Sequence, residues 1–390
     1  MLLPNHLLTK ARSLFPHTSQ GKIYLNHAAT APLSTRVVNA MTASLRERSE
    51  GKLETFDLDL PMVGECRKLV QKLINAESSH RIALLGNTTD AINIVAAGIP
   101  WKSGDRVLLS NIEFPANVWP YLNLKRLGVE LDIIQSTDGK VTTELIVDGI
   151  TSRTRLVALS AVQFLSGYRA DMAAIGDICR NRGIIFAVDG IQAVGAVRVD
   201  VLQMKIDALA AGAQKWQMSP HGSGFLYVTE DLQSRIQQKN VGWLAVADPW
   251  DFYNFDQPLA STARRYEGGT LNFPSLWGMH AALSMLLEFG IDAIEEHILS
   301  LTQQLIEGLS CIEGIRLFSP IEPHERAGIV TIEFARNVAE KDIFRSLAEQ
   351  NITVALREKK VRFSPHFYNS PEEMAIVLEA TRNCLGRSQM

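Results

Sequence analysis

Residues 184–228 read IIFAVDGIQAVGAVRVDVLQMKIDALAAGAQKWQMSPHGSGFLYV, and three runs inside this stretch decide the fold. IIFAVD, DALAAGA and GSGFLYV are short and continuously apolar, the pattern of strands buried on both faces. Runs of the same kind recur upstream from about residue 81 as IALLGN, RVLLSN, ELDIIQ and RLVALSAVQ. Helix-like stretches such as TTDAINIVAAG and DMAAIGDICRNRG separate them. Seven strands alternating with helices predict an α/β fold built on a mainly parallel seven-stranded sheet between helices.

Ligands of such sheets lie at the carboxyl ends of the strands. Asp189 closes one run and Lys215 follows the next, 26 residues further on. An amine able to form an imine, beside an acid able to keep an aromatic nitrogen protonated, is the pair that pyridoxal 5'-phosphate (PLP) chemistry requires. A strand-end Asp capping a turn and a solvated surface Lys would look the same. Spacing alone does not choose between them.

The rest of the chain narrows the class. At 390 residues with 46% apolar content it exceeds what one core supports, so two packed domains are expected. A polar, aromatic and glycine-containing passage from about Ala247 to Phe273 precedes the helix-like LWGMHAALSMLLEFG and marks the connection. We therefore read residues 21–255 as a large cofactor-binding α/β domain and 256–390 as a smaller α+β domain, joined by the N-terminal segment 1–20. Ser370-Pro371-Glu372-Glu373 is a strong helix start for the last element. A net charge of −3 without any basic block argues against nucleic acid as a partner. Cys66, Cys179, Cys311 and Cys384 are far apart and unpaired with histidines, which predicts neither zinc nor disulfides. No P-loop, GxGxxG or HExxH is present, so no metal is expected. No apolar run approaches the ~20 residues of a membrane span, and MLLPNHLLTKAR is too interrupted for a signal peptide. A soluble, cytoplasmic protein is the expectation.

The words around Asp189 and Lys215 go further. VDGIQAVG, then Lys-Trp, then P-x-G-x-G-F-L-Y-V closely resembles the class V aminotransferase family of fold-type I PLP enzymes, which includes cysteine desulfurases, isopenicillin N epimerase, kynureninase and several aminotransferases. YLNHAATAPLS, GNTTDAIN, EGGTLNFPS and VRFSPHFYNSPEE continue the resemblance over nearly the whole chain. It implies that Lys215 carries PLP as a Schiff base and that Asp189 holds the ring nitrogen. Gly86-Asn87-Thr88-Thr89, at a strand-to-helix junction, would bind the phosphate through backbone N–H groups and the hydroxyls of Thr88 and Thr89. Phe114 matches the position that stacks on the pyridine, and Gln192 the residue that bonds the phenolic oxygen. Thr270 matches a residue given to the phosphate by the partner subunit, which implies a homodimer with composite active sites. Arg362 matches the arginine that grips the substrate carboxylate, a task for which a planar fork is suited. Arg357 is a second candidate anion contact or a solvated charge. Asn26, His27 and Ala28 correspond to the segment lining the substrate side; His27 fits a proton shuttle or specificity contact, and equally a histidine satisfied by nearby backbone.

The pattern also departs from the family. Desulfurases carry a mobile Cys in the loop before the carboxylate-binding arginine, whereas here that loop is LREKKVRFS, without Cys. Persulfide formation is therefore not expected. Gly212 and Gln214 replace the Ser and His that often bind phosphate, and Gln163 with Phe164 replaces a desulfurase-like Asn near the ring. The resulting expectation is an aminotransferase acting on an amino acid with a keto-acid acceptor. A carbon–sulfur lyase or epimerase of the same family is the alternative, and an idle PLP-fold binding protein is the reading outside enzymology.

Overall fold

The computed structural model describes residues 2–52, 55–335 and 340–388. Thirteen strands are found among them. They are β1 (Ile23–Tyr24), β2 (Ile82–Leu85), β3 (Arg106–Ser110), β4 (Glu130–Ile134), β5 (Thr154–Ser160), β6 (Ile185–Asp189), β7 (Ala208–Gly212) and β8 (Gly224–Val228), followed by β9 (Ile315–Leu317), β10 (Val330–Phe334), β11 (Ile352–Thr353), β12 (Ala355–Arg357) and β13 (Lys360–Phe363).

The seven apolar runs form one sheet in the order β2-β8-β7-β6-β5-β3-β4. Strands β4 through β7 are parallel to their neighbours, and β8 alone runs antiparallel, between β7 and β2. Every residue of β6, β7 and β8 is buried, which is why these strands show no alternation in sequence. Reversal at β8 has a consequence for the site: the β7–β8 connection that carries Lys215 stays at the carboxyl end of β7, on the side where β6 ends in Asp189.

The helix Thr88–Gly98 starts where the side chain of Asn87 accepts a hydrogen bond from the Asp90 N–H, so Asn87 rather than either threonine is its cap. Helix Phe273–Phe289 lies against helices Thr35–Ser49 and Phe56–Ile74. A second sheet, in the order β12-β13-β10-β9, is antiparallel and packs on the helices Ile291–Ser310 and Pro371–Ser388 around Leu305, Val330, Phe363 and Val377. The last helix opens with a reciprocal cap: Ser370 Oγ accepts from the Glu373 N–H, and the Glu373 carboxylate accepts from the Ser370 N–H. Strand β1 pairs in parallel with β11, so the N-terminal segment is bonded to the C-terminal third.

Candidate active site

Four segments converge on Lys215. It leaves the end of β7 by three residues, and its carbonyl accepts from the Met218 N–H in a tight turn with Met218 at φ 55°. The preceding carbonyl, that of Gln214, accepts from the Ala31 N–H and the Thr30 hydroxyl, tying the loop after β1 beneath the lysine. The Lys215 ammonium lies 5.5 Å from the centre of the Phe114 ring. Asp189 and Arg362 complete the surroundings, and both act electrostatically on the lysine.

All three ionisable groups are buried, at 8% exposure for Lys215 and 2% for Asp189 and Arg362. Burial pushes the Asp189 carboxyl up to about 6, opposed by the Ile191 N–H and by Lys215. Burial likewise lowers Lys215 to about 8, opposed by Asp189 and assisted by the arginines at 362 and 357. Shifts of this kind on an acid and an amine, both opposing ionisation, are the pattern that active sites use to tune acid–base groups. The Asp189 Oδ1 accepts from the Ile191 N–H at 2.9 Å, while Oδ2 is buried with no partner among the described residues. Arg362 donates through Nη1 to the Phe164 carbonyl at 2.5 Å, and its buried Nε is likewise unpartnered. Asp189 Oδ2 is free to accept a hydrogen bond and Arg362 Nε to donate one.

Gly212 and Gln214 lie against the start of the helix Thr88–Gly98. Thr88 Oγ1 accepts from the Gly212 N–H at 2.8 Å, joining the helix start to the end of β7. A Cβ on Gly212 would lie 2.6 Å from Gln214 Oε1 and 3.1 Å from Thr88 Oγ1, so Gln214 folds into the space a side chain at 212 would take. The Thr88 hydroxyl hydrogen, the exposed Thr89 and the first N–H groups of the helix remain to receive an anion there. Asp189, Lys215 and Thr88 thus lie together at the carboxyl end of the sheet, where an acid, an amine and the N–H groups of a helix start fit the chemistry of PLP.

Several expected contacts are placed differently. His27 is fully buried: its Nδ1 donates to the Ser364 carbonyl at 2.8 Å, which leaves Nε2 to accept from the Tyr368 hydroxyl at 2.9 Å. Burial, reinforced by His366, holds His27 well below the usual histidine range. It is the backbone-satisfied histidine and positions the loop rather than facing substrate. Ala28 is buried as well, with its N–H on Ser364 Oγ and its carbonyl accepting from Gln192 Nε2. Gln192 Oε1 accepts from the Trp216 indole at 2.8 Å. One amide hydrogen of Gln192 is left, so its main work is to clamp loop 26–31 to Trp216. The Asn26 side-chain oxygen, by contrast, is buried without a partner. Thr270 is exposed and lines a separate cavity of about 500 Å³ with Phe56, Asn272 and Trp277. Arg357 is exposed; the β12–β13 pairing sets it on the same face of the hairpin as Arg362, which is opposite Ala355.

Glu113 is a residue the sequence did not single out. It is buried and accepts from the Ser160 N–H and hydroxyl, Asn117 Nδ2 and Gln163 Nε2. It thereby fixes Gln163 and the stretch carrying Phe114. The only signal was an acid at a strand end in SNIEFPAN, a position where solvated acids are ordinary.

The shortened loop before Arg362 is a two-residue hairpin turn, Glu358-Lys359, with both residues at positive φ (46° and 60°). Cys66, Cys179 and Cys384 are buried elsewhere, and Cys311 ends the helix Ile291–Ser310. None of the four cysteines is on the hairpin.

A mainly parallel sheet with lysine, aspartate and arginine gathered at its carboxyl edge is the architecture of a fold-type I PLP enzyme. Residues 23–373 match the aminotransferase class-V family, and the chain belongs to that family, whose members use PLP on amino-acid substrates. It is 31% identical to a probable cysteine desulfurase of Methanothermobacter thermautotrophicus, over 93% of this chain and 95% of that one. It is 28% identical to the uncharacterized aminotransferase YcbU of Bacillus subtilis, over 95% and 96%. The apo cysteine desulfurase of Thermococcus onnurineus superposes with a TM-score of 0.87 at 25% identity, covering 99% of both chains. Among the described residues no helix is long and apolar enough to cross a membrane, and no group of side chains could hold a metal ion.

Proposed function

We propose that the protein is a PLP-dependent aminotransferase acting at the α-carbon of an amino acid, without a persulfide step. The observation that carries the reading is the trio of Lys215, the orphaned Asp189 Oδ2 and the orphaned Arg362 Nε, all buried, the acid and the arginine close enough to act electrostatically on the lysine, with a two-residue hairpin turn that carries no cysteine. PLP, when bound, supplies the electron sink that makes the α-hydrogen acidic. Lys215 would hold the cofactor through Nζ and then take the α-proton, for which burial lowers the amine from its usual value to about 8. Asp189 Oδ2 accepts from the pyridine N–H, Phe114 covers the ring, and Thr88, Thr89 and Gln214 receive the phosphate. Gln163 and Gln192 are the remaining side chains for the ring's polar edge. Arg362 fixes the α-carboxylate through Nε. With no cysteine on the hairpin a persulfide step would lack its sulfur acceptor, and transamination is the outcome we propose.

The division at residues 255 and 256, and assembly as a homodimer that brings Thr270 to the partner's phosphate, belong to the same proposal. Tyr253 and Phe255, about nine-tenths exposed at 90% and 91%, support the dimer, since large apolar groups so placed are usual at interfaces. In the same passage Trp250 meets Phe56, which lines the Thr270 cavity, at 5.5 Å between ring centres.

The test is a visible absorbance spectrum of the purified protein, alone and with amino acids, alongside Lys215→Ala. A cofactor band in the wild type that is converted to the amine form with release of a keto acid, and is absent in the variant, is the expected result. A band that persists while pyruvate or racemised amino acid accumulates would replace transamination by lyase or epimerase chemistry. No band after adding PLP would sink the enzyme reading.

A further inference from the structure

Beside Phe114 and Arg362 lies a cavity of about 310 Å³, at the small end of the range for small-molecule sites. Its apolar wall is Ile112, Pro115, Phe164, Leu165 and Phe318. Two contacts tie it to the reacting groups. The Phe164 ring stands 5.3 Å from that of Phe114, over which Lys215 sits, and the Phe164 carbonyl is the one that receives Arg362 Nη1. A substrate with its carboxylate on Arg362 and its α-carbon at Lys215 therefore has this cavity within reach of its side chain.

The polar part of the wall is one-sided. Gln163, Asn111, Ser166 and the carboxyl-bearing Glu113 and Glu358 line it, and no lysine, arginine or histidine does. The Asn111 amide donates to Gln135 and the Ser136 carbonyl, the Ser166 hydroxyl donates to the Gly139 carbonyl, and Lys360, 4.7 Å from the centre of the Phe318 ring, is paired with Glu333. Gln163 Nε2 gives one hydrogen to Glu113, which fixes the orientation of the amide, and its Oε1 is buried without a partner among the described residues. A second carboxylate would meet two acids and an acceptor, each of them unfavourable. We infer that this cavity receives the substrate's side chain and selects amino acids whose side chains are uncharged and largely apolar. The inference rests on the amino-acid chemistry proposed above. Arg357, exposed on the face of Arg362 but not in the cavity wall, defines the competing choice of an acidic side chain.

The experiment uses the full-length, PLP-loaded protein and two readouts, dissociation constants from the visible band and α-hydrogen exchange in deuterated water. The probes are L-leucine, L-methionine and L-phenylalanine against L-aspartate and L-glutamate. The apolar set should bind about tenfold tighter or more. Leu165→Arg, half-buried in the wild type, should shift that ratio at least about tenfold toward the acidic set, and Leu165→Gln makes a milder test should the arginine variant fail to fold. Acidic amino acids binding as tightly as the apolar set would overturn the inference and transfer selection to Arg357. A ratio unchanged in a folded Leu165 variant would overturn it too. Exchange with amino acids of either set leaves the proposed function standing whatever the ratio; exchange with none removes that function, and this inference with it.

Discussion

Asp189 and Lys215 are buried groups of opposite charge whose shifts both oppose ionisation, and pH should expose this in the cofactor-free protein. Burial raises Asp189 from 3.8 to about 6, so the folded state binds that proton more tightly than the unfolded chain. Its contribution to stability is present below the unfolded value and is lost as pH rises through about 6. Lys215, lowered from 10.5 to about 8, contributes stability above its unfolded value that is lost as pH falls through about 8. From this pair the protein is least stable between those two folded values. Denaturant midpoints of wild type and Asp189→Asn across pH 4–9 check it, on the order of the window these values define: the difference should move against the wild type as pH rises from about 4 to 6. A constant difference would mean that Asp189 does not titrate in that range. Legibility differs among residues for a related reason. Lys215, Asp189 and Arg362 stand in recognisable words, whereas Glu113 is an ordinary acid in sequence and becomes special only when Ser160, Asn117 and Gln163 converge on it.

At the scale of elements, the β12–β13 hairpin is the clearest departure from a desulfurase-like loop. Its turn places two bulky residues, Glu358 and Lys359, in the left-handed region that favours glycine and asparagine. Lys359→Gly should therefore stabilise the protein by about 0.5–1 kcal/mol, read from denaturant midpoints, and leave α-hydrogen exchange unchanged. A loss of stability would show that the lysine side chain contributes more than its backbone costs. The strands were legible because burial on both faces writes an uninterrupted apolar run. Strand β9 was not, since Ile315–Leu317 is only three residues long and partly exposed. ITVAL reads as one strand but divides into β11 and β12, which pair with β1 and β13 respectively.

Across the whole molecule, the N-terminal segment acts as a strap. Arg12 donates to Glu373 at 2.7 Å and to the Tyr368 carbonyl at 3.1 Å, the Leu3 N–H reaches His297 Nδ1 at 3.0 Å, and β1 joins β11. Tyr368 in turn donates to His27 beneath the site. Arg12→Ala leaves the Glu373 carboxylate short of its cation and should cost roughly 1–3 kcal/mol in thermal or chemical unfolding. The same variant should speed hydrogen exchange at Ile352 and Thr353, and unaltered exchange there would show that the strap does not depend on Arg12. By itself the sequence determined the sheet, because buried strands leave uninterrupted apolar runs, and the absence of a cysteine before Arg362; Lys215, Asp189 and Arg362 were marked only by the family words around them. Only the tertiary structure decided that His27 is a support, that Gln192 clamps Trp216, that Glu113 organises the Phe114 stretch and that an apolar cavity adjoins Arg362. Those are matters of which distant residues meet, and a side chain's partners, unlike its periodicity, are not written beside it in the chain.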